Sequence, residues 1–314
     1  MARSGPVGRF APSPTGRLHI GSLLAAVGSF CHARHSGGRW LVRMEDLDPP
    51  REVPGAADDI LRTLEGFGLH WDEEVVYQST RHDRYAEALE GLKQKGFVYP
   101  CGCSRRDWAH LPDYPGTCRD GVPKGREARL ERHRLSGEWR AWKDRFRGKE
   151  AFDTSVMGDF PVLRADGHWA YQLAVVVDDR DQGITEVIRG ADLLDSTPRQ
   201  MDLWAALSST EVAQAMPEYG HLPILQTAAG QKLSKQTFAR PVEVQASCTL
   251  IDLVWGQLGQ EASPEWRAAV SHGDPEALMG LAVRLWQPDR VPVQPVQLHG
   301  WGQDARPPGR GAPS

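Results

Sequence analysis

The first half of the chain alternates strand patterns and helix patterns. Residues 7–11 form an apolar run that ends in Pro-Ser-Pro-Thr-Gly, and residues 40–44 form a second run, so we predict two strands. The helical spacing of apolar residues predicts helices over 23–30, 56–64 and 81–95. Strands joined by helices in this order favour a parallel sheet with right-handed crossovers, so the predicted fold class is α/β.

The loop after the first strand has the composition of a phosphate-binding loop. Small residues over 11–16 let the backbone approach a ligand closely, and Gly21 opens a helix whose N-terminal N–H groups point toward an anion. We predict that Ser22 caps this helix and that His19 donates a hydrogen bond to a phosphate. A tight turn with a surface histidine is the alternative for this motif taken alone.

Strand and helix patterns return after residue 150. The apolar run over 171–177 predicts a buried strand, and helical spacing predicts helices over 198–207 and 248–287. Between these helices lies the segment Lys-Leu-Ser-Lys-Gln at 232–236. Two lysines around a serine in a mobile loop can clamp a triphosphate as its charge shifts, although a solvated loop is the alternative.

Residues 101–150 interrupt this alternation and carry few strand signals, so we interpret them as an insert. Three of the five cysteines lie within 101–118, which indicates a metal site, whereas Cys31 and Cys248 are isolated and expected in the core. The stretch 119–149 contains eleven basic and five acidic residues in a chain of net charge −4. Such a local excess suits an anionic partner such as RNA, and a solvated helix is the alternative.

Composition excludes several classes of protein. Hydrophobic residues make up 40% and charged residues 25% of the 314 residues, which is ordinary for a globular protein. The sequence contains no apolar run of about 18 residues, so we expect no membrane span. The N-terminus has no apolar signal core, and the low cysteine content fits a reducing compartment, so we expect a cytoplasmic location.

Taken together, the motifs resemble those of class I aminoacyl-tRNA synthetases of the glutamate/glutamine subclass. Arg9 to Gly16 with Leu18-His19-Ile20-Gly21 is similar to the HIGH signature, and 232–236 is similar to the KMSKS loop. Further similarity covers Arg-Met-Glu-Asp-Leu-Asp at 43–48, Val-Asp-Asp at 177–179 and Ile-Arg-Gly-Ala-Asp at 188–192. Ser22 replaces the second histidine of HIGH, and Leu and Gln replace two residues of KMSKS, but both lysines are present.

Chain length narrows the choice of family within this subclass. Only 79 residues follow Lys235, too few for the large helical anticodon-binding region of a full glutamyl-tRNA synthetase. The chain therefore resembles the truncated paralogues, the glutamyl-Q tRNA(Asp) synthetases. This resemblance implies activation of L-glutamate with ATP and Mg²⁺, followed by transfer to queuosine at the wobble position of tRNA(Asp). A fragment that charges the tRNA 3′ end, a related nucleotidyltransferase and a non-catalytic tRNA-binding descendant are the alternatives.

The resemblance also implies roles for individual residues. Free glutamate has two carboxylates and one ammonium, so a selective pocket needs two cations and one anion. Arg9, Arg189 and Glu45 match the family's substrate positions, and which arginine binds which carboxylate stays open. The complete glutamate set is Arg9, Phe10, Ala11, Pro12, Ser13, Glu45, Tyr171 and Arg189. The ATP set is His19, Gly21, Lys232, Ser234 and Lys235, of which His19 and Lys235 are the catalytic candidates.

The cysteine-rich segment matches the family's structural zinc site, with one zinc per chain held by Cys101, Cys103, Tyr114 and Cys118. His110 and Asp113 are alternative fourth ligands. We therefore expect a Rossmann-type catalytic domain divided into 1–98 and 151–215, with the zinc-containing insert at 99–150 between them. These are followed by a region at 216–301 that contains the KMSKS-like loop and a helical segment, and by a disordered tail at 302–314. We expect a monomer.

Overall fold

In a computed structural model of the chain, the described residues are 5–227, 230–231 and 240–298. Lys232, Ser234, Lys235 and the tail 302–314 lie outside them. The helices are α1 Ile20–His35, α2 Ala56–Gly66, α3 His82–Gln94, α4 Tyr171–Asp181, α5 Thr197–Ser208, α6 Ser247–Gln257, α7 Pro264–His272 and α8 Pro275–Leu285. The strands are β1 Val7–Phe10, β2 Arg39–Met44, β3 Val76–Tyr77, β4 Val98–Cys101, β5 Leu130–His133, β6 Trp139–Asp144, β7 Gly148–Asp153, β8 Phe160–Leu163, β9 Glu186–Gly190, β10 Glu218–Leu222, β11 Leu225–Gln226 and β12 Val296–Gln297.

Parallel strands form the centre of the fold, as the sequence predicts. β2 pairs with β1 on one side and with β3 on the other, and β9 pairs with β10, all in parallel. β9 lies beside β1, because the backbone N–H of Thr185 donates to the carbonyl of Val7 at 3.0 Å. The carboxyl ends of β1, β2 and β9 therefore meet at one edge, where parallel α/β sheets commonly bind ligands.

Helix α1 is buried on nearly all sides, which explains its continuous apolar sequence. It packs against the sheet and against α6 and α8. The shared core of these elements contains Trp255, Trp266 and Trp286. The predicted helices over 23–30, 56–64, 81–95 and 198–207 are confirmed, and the segment 248–287 forms three helices. Within the described ranges, none of these helices is long and apolar enough to cross a bilayer.

The predicted strand over 171–177 is wrong, because these residues belong to helix α4. Its apolar run Leu173–Val177 is completely buried, and so are the charged residues Asp178, Asp179 and Arg180 that follow. A short apolar run that is buried on every side shows no period that separates a strand from a helix. The mistake concerns the element type but not its burial.

The insert contains more strand than its sequence indicates. β4 and β5 form an antiparallel sheet with β8, which lies beyond the predicted end of the insert at residue 150, and β6 and β7 form an antiparallel hairpin. The alternative of a solvated helix over 119–149 is wrong, because the described structure has only strands and irregular segments there. Along β6, exposed and less exposed residues alternate from Trp139 to Asp144, and charged side chains occupy both faces, which hides the strand pattern.

Candidate active site and candidate metal centre

A cavity of about 370 Å³ opens where β1, β2 and β9 end and α1 begins. Arg9 lies near the end of β1, Glu45 directly follows β2, and Arg189 lies near the end of β9. The cavity brings together all eight glutamate-site residues predicted from the sequence and two of the predicted ATP-site residues. These are Arg9, Phe10, Ala11, Pro12, Ser13, His19, Gly21, Glu45, Tyr171 and Arg189.

Arg9 is already engaged within the protein. Its Nε and Nη2 donate to the two carboxylate oxygens of Asp179 at 3.2 and 3.4 Å, in a buried site. Arg43, which is fully buried, donates to the same carboxylate at 2.7 Å and to Gln182 at 2.8 Å. Asp179 therefore holds two arginines at the edge of the sheet, an arrangement that the sequence motifs do not reveal.

Glu45 is one of two carboxylates that line the cavity, and Asp192 is the other. Burial raises the pKa of Glu45 to about 7, against the opposing effects of Arg43 and Arg9, and the negative charges of Asp179 and Asp178 add to the increase. Among the described residues, its Oε1 accepts one long hydrogen bond of 3.5 Å, from Arg43. A buried carboxylate with such weak compensation gains from a cationic ligand such as an ammonium group.

Arg189 is a buried cation held by neutral groups. Its Nη1 donates to Gln200 at 2.7 Å, its Nη2 to Thr197 at 2.8 Å, and its Nε to the ring of His221 at 3.3 Å. Within the described residues, no carboxylate lies at ion-pair distance from it. The charge of Arg189 is therefore available to an anionic ligand in the cavity.

Two further predicted residues form the rim of the cavity. Tyr171, the first residue of α4, is 36% exposed, and burial of its hydroxyl is the main factor that raises its pKa. The phenol is therefore a neutral hydrogen-bonding group at ordinary pH. Ser13 is exposed at the mouth of the cavity.

His19 caps helix α1, and the predicted cap by Ser22 is wrong. The Nδ1 of His19 accepts hydrogen bonds from the backbone N–H of Gly21 at 3.1 Å and of Ser22 at 3.3 Å. Since Nδ1 is an acceptor, the proton of the neutral ring is on Nε2, which lies 3.1 Å from the hydroxyl of Ser22. The histidine thereby satisfies the N–H groups that the sequence analysis assigned to an anion.

The three cysteines of the insert converge on one point. The sulfur atoms of Cys101, Cys103 and Cys118 all lie within 4.8 Å of one another, and all three side chains are buried. The hydroxyl of Tyr114 completes the group, at 3.4 Å from the sulfur of Cys101 and 4.0 Å from that of Cys103. The two other predicted candidates lie elsewhere, because His110 is exposed and Asp113 pairs with Arg199 at 3.5 Å.

Two arginines surround this cysteine cluster. Arg132 Nε donates to the sulfur of Cys101 at 3.3 Å, and Arg126 Nη1 donates to that of Cys103 at 3.6 Å. The guanidinium of Arg132 also lies 3.8 Å from the centre of the Tyr114 ring. Donors aimed at sulfur stabilise thiolates, which are the form that binds metals.

Sequence reasoning missed three residues around the cavity. Asp179 belongs to a motif that resembles the family, but no role was predicted for it. Asp144 and His221 belong to no such motif, and no role was predicted for them either. Hydrogen bonds connect Asp144 to His221 and His221 to Arg189, between residues that lie 77 and 32 positions apart. Only a signal for contacts between distant residues could have found them.

The fold and the sequence agree with known synthetases. Residues 7–111 and 118–248 match the family of class I tRNA synthetases for E and Q, catalytic domain. A solved glutamate tRNA ligase from Elizabethkingia meningosepticum, in complex with its amino acid, superposes with a TM-score of 0.76 at 24% identity. The match covers 94% of this chain and 67% of that one, and it shows the shared fold. The fold and the sequence thus define a ligase of the class I aminoacyl-tRNA synthetase type.

Relatives of similar length specify the family. A glutamyl-Q tRNA(Asp) synthetase from Chromobacterium violaceum is 52% identical over 300 residues, which cover 93% of this chain and 97% of the relative. One from Dechloromonas aromatica is 50% identical over 301 residues, with the same coverage. The chain belongs to the glutamyl-Q tRNA(Asp) synthetase family.

Proposed function

We propose that this protein activates L-glutamate with ATP and transfers the glutamyl group to queuosine at the wobble position of tRNA(Asp). The observation that carries the proposal is the cavity where Arg189, which has no carboxylate partner among the described residues, and Glu45, whose pKa is raised to about 7, occur together. The names of the relatives support the acceptor.

Glutamate binding follows from the charges around the cavity. Arg189 binds one carboxylate of the substrate, and Arg9, which shares Asp179 with Arg43, contributes to binding the other. Glu45 binds the ammonium group, with Tyr171 as a neutral partner at the rim. An amino acid with only one carboxylate would leave one of these two buried arginines without a substrate anion, which is why the pocket favours an amino acid with two carboxylates.

The first chemical step needs alignment and charge stabilisation. The α-carboxylate of glutamate attacks the α-phosphorus of ATP, and pyrophosphate leaves as glutamyl-adenylate forms. Mg²⁺ accompanies ATP and is held mostly by its phosphates. We propose that His19 donates its Nε2 proton to a phosphate, because Nδ1 already accepts two backbone hydrogen bonds. Holding the reactants in line contributes about 7–11 kcal/mol in favourable cases.

We assign Lys232, Ser234 and Lys235 to the second half of the ATP site. The described residues that flank them support this assignment. Pro241 forms an antiparallel bridge with His19, and the backbone N–H of Val242 donates to the carbonyl of Leu18 at 2.9 Å. Lys235→Ala is expected to slow pyrophosphate exchange at least about 100-fold, whereas an unchanged rate would remove Lys235 from catalysis.

In the second step a hydroxyl of queuosine attacks the acyl carbon of the adenylate and AMP leaves. The wobble base lies in a single-stranded loop and can be splayed into a pocket. The cyclopentenediol of queuosine offers two neighbouring hydroxyls, as the terminal ribose of a tRNA does. The same catalytic groups therefore serve either acceptor, and the acceptor must be tested separately.

We propose that the cysteine cluster holds one structural zinc ion. Tetrahedral zinc with Zn–S bonds of about 2.3 Å separates its sulfur ligands by about 3.8 Å. The sulfur atoms of Cys103 and Cys118 lie 3.6 Å apart, and the donors on Arg126 and Arg132 fit a group of thiolates. Tyr114 is the proposed fourth ligand, and the ion stabilises the insert.

Transfer of labelled glutamate tests the proposed function. The expected result is incorporation into tRNA(Asp) that contains queuosine and none into tRNA(Asp) with unmodified guanosine at that position. tRNA(Glu) is the control for ordinary charging. Incorporation into tRNA(Glu) instead would support a glutamyl-tRNA synthetase fragment. The absence of glutamate-dependent pyrophosphate exchange would support a non-catalytic tRNA-binding protein.

A further inference from the structure

Arg189 is oriented by His221, and the geometry fixes the protonation of that histidine. The Nε of a guanidinium carries a proton and can only donate, so His221 Nε2, at 3.3 Å, must accept. The hydroxyl of Thr197 lies 3.0 Å from the same nitrogen. The single ring proton of a neutral His221 therefore lies on Nδ1.

Asp144 holds this proton in place. The Nδ1 of His221 lies 2.5 Å from Oδ2 of Asp144, and the backbone N–H of His221 donates to Oδ1 at 3.1 Å. Both side chains are buried. Burial opposes ionisation of Asp144, but the hydrogen bonds from His221 outweigh it and lower the pKa of the carboxyl.

The carboxylate of Asp144 is itself fixed by its own hairpin. The backbone N–H groups of Phe146 and Arg147 donate to Oδ1 at 3.1 and 3.2 Å, and the indole of Trp142 donates to Oδ2 at 3.2 Å. The turn is attached to β10, because the backbone N–H of Arg145 donates to the carbonyl of Tyr219 at 2.8 Å. Asp144 therefore has little freedom to rotate away from His221.

Burial lowers the pKa of His221, although the hydrogen bond to Asp144 acts in the opposite direction. A neutral ring is what Arg189 requires. A protonated ring would carry a proton on Nε2 and place a second cation against the guanidinium. The neutral ring instead offers Arg189 an acceptor that adds no negative charge to compete with the substrate.

We propose that Asp144 and His221 are positioning residues for Arg189, the arginine that binds the substrate. Asp144 selects the Nδ1-protonated form of His221, and Nε2 of His221 then holds the guanidinium of Arg189 toward the cavity. This inference rests on the proposed function, in which Arg189 binds a carboxylate of glutamate. It makes the β6–β7 hairpin of the insert part of the amino-acid site. Neither residue is among those that line the cavity.

Two substitutions of His221 separate the two hydrogen bonds. The side-chain oxygen of Gln can reach the position of Nε2 and accept from Arg189, whereas the shorter Asn reaches only the Nδ1 position near Asp144. His221→Asn is expected to raise the KM for glutamate in pyrophosphate exchange at least about tenfold, and His221→Gln to keep it within about threefold. The KM for ATP should stay within about twofold in both variants.

The control is His133→Asn, since His133 is also a buried histidine near a carboxylate, 3.9 Å from Asp202, but does not line the cavity. It should leave the KM for glutamate unchanged. Equal KM values for His221→Asn and His221→Gln would overturn the proposal, because a role limited to packing does not distinguish an acceptor at one end of the ring from a donor at the other.

The position of the ring proton can also be measured directly in the wild-type protein, without substrate. The ¹⁵N shifts of the His221 ring in the wild-type protein should show a proton on Nδ1 and none on Nε2 near neutral pH. In Asp144→Asn the amide can donate to Nδ1, so the expected form is protonated on Nε2 and the KM for glutamate rises. A proton on Nε2 in the wild type would overturn the proposal. If the wild type shows the proton on Nδ1 but no glutamate-dependent exchange, the proposed function fails, while the hydrogen-bonded arrangement of Asp144, His221 and Arg189 stands.

Discussion

Asp179 joins Arg9 to Arg43, since it accepts from Arg9 at 3.2 and 3.4 Å and from Arg43 at 2.7 Å. All three side chains are buried. Their charges therefore interact in a medium of low dielectric, and Asp179 is the carboxylate that both arginines share, although Arg43 also lies 3.7 Å from Asp178 and 3.5 Å from Glu45. We therefore expect this group to contribute to the stability of the sheet edge that forms the cavity.

Removing this carboxylate should destabilise the protein strongly. Asp179→Ala leaves two buried guanidinium groups with less compensation, so we expect the free energy of unfolding to fall by about 3–5 kcal/mol. Urea denaturation measures the change. Glu265→Ala is the control, because Glu265 pairs with Arg284 at 2.9 Å in an exposed position, and its loss should cost at most about 1 kcal/mol. Equal effects of the two variants would contradict the account.

Glu45 should impose a pH dependence on glutamate use. Its pKa is raised to about 7, so the free protein carries a neutral Glu45 below that pH and cannot pair it with an ammonium. We expect kcat/KM for glutamate in pyrophosphate exchange to fall about tenfold per pH unit below pH 7 and to level off above it. Glu45→Gln should lose both this slope and most of the activity.

The same shift predicts an effect on stability. A folded-state pKa above the ordinary value of 4.5 means that the folded protein holds this proton more tightly than the unfolded chain. The contribution of this proton to the free energy of unfolding is complete below about pH 4.5 and is lost as the pH rises through 7. Glu45→Gln should therefore be more stable than the wild type at pH 8, by about 1–3 kcal/mol, and similar at pH 5. A variant that is less stable at pH 8 would refute this assignment of the charge.

Arg189→Ala should affect the amino acid and spare the nucleotide. One carboxylate of glutamate loses its partner, so we expect the KM for glutamate to rise about 100-fold while the affinity for ATP changes little. Arg164→Ala is the control, because Arg164 pairs with Asp166 on the surface and does not line the cavity. An equal loss of ATP affinity in Arg189→Ala would place Arg189 in the structural framework.

The purified protein should contain about one zinc ion per chain, and Cys118→Ser should lose it together with part of its stability. Metal analysis by mass spectrometry and thermal unfolding check this. Cys248→Ser is the matched control, because Cys248 is free and lies outside the cluster. A zinc-free protein that is folded and active would refute the site. Full zinc retention in Tyr114→Phe would exclude the Tyr114 hydroxyl as the fourth ligand and leave that position to water.

Local patterns predicted much of the fold, because each depends on neighbours in the sequence. Helix α1 and strands β1 and β2 follow from apolar spacing and from the Pro-Ser-Pro-Thr-Gly loop. Helix α4 was misassigned since burial on all sides removes the period that identifies it. Strands β6 and β7 were missed because charged residues cover both faces of the hairpin.

The candidate site divides in the same way. Ten of the residues that line the cavity were predicted as site residues because they lie in short motifs at strand ends and at helix starts. The residues that support them were not. Asp179 lies 170 positions from Arg9, and Asp144 lies 77 positions from His221, so no local pattern connects either pair. The cap formed by His19 was missed because Ser22 is the more usual capping residue type.

The acceptor of the glutamyl group is the central claim, and its location on the tRNA tests it most directly. Labelled glutamate should be transferred to queuosine-containing tRNA(Asp) from which the 3′-terminal adenosine has been removed, at the same level as to the intact tRNA. The label should then be found in the anticodon loop after nuclease digestion. Transfer that disappears when the terminal adenosine is removed would contradict the account and establish ordinary charging of the 3′ end.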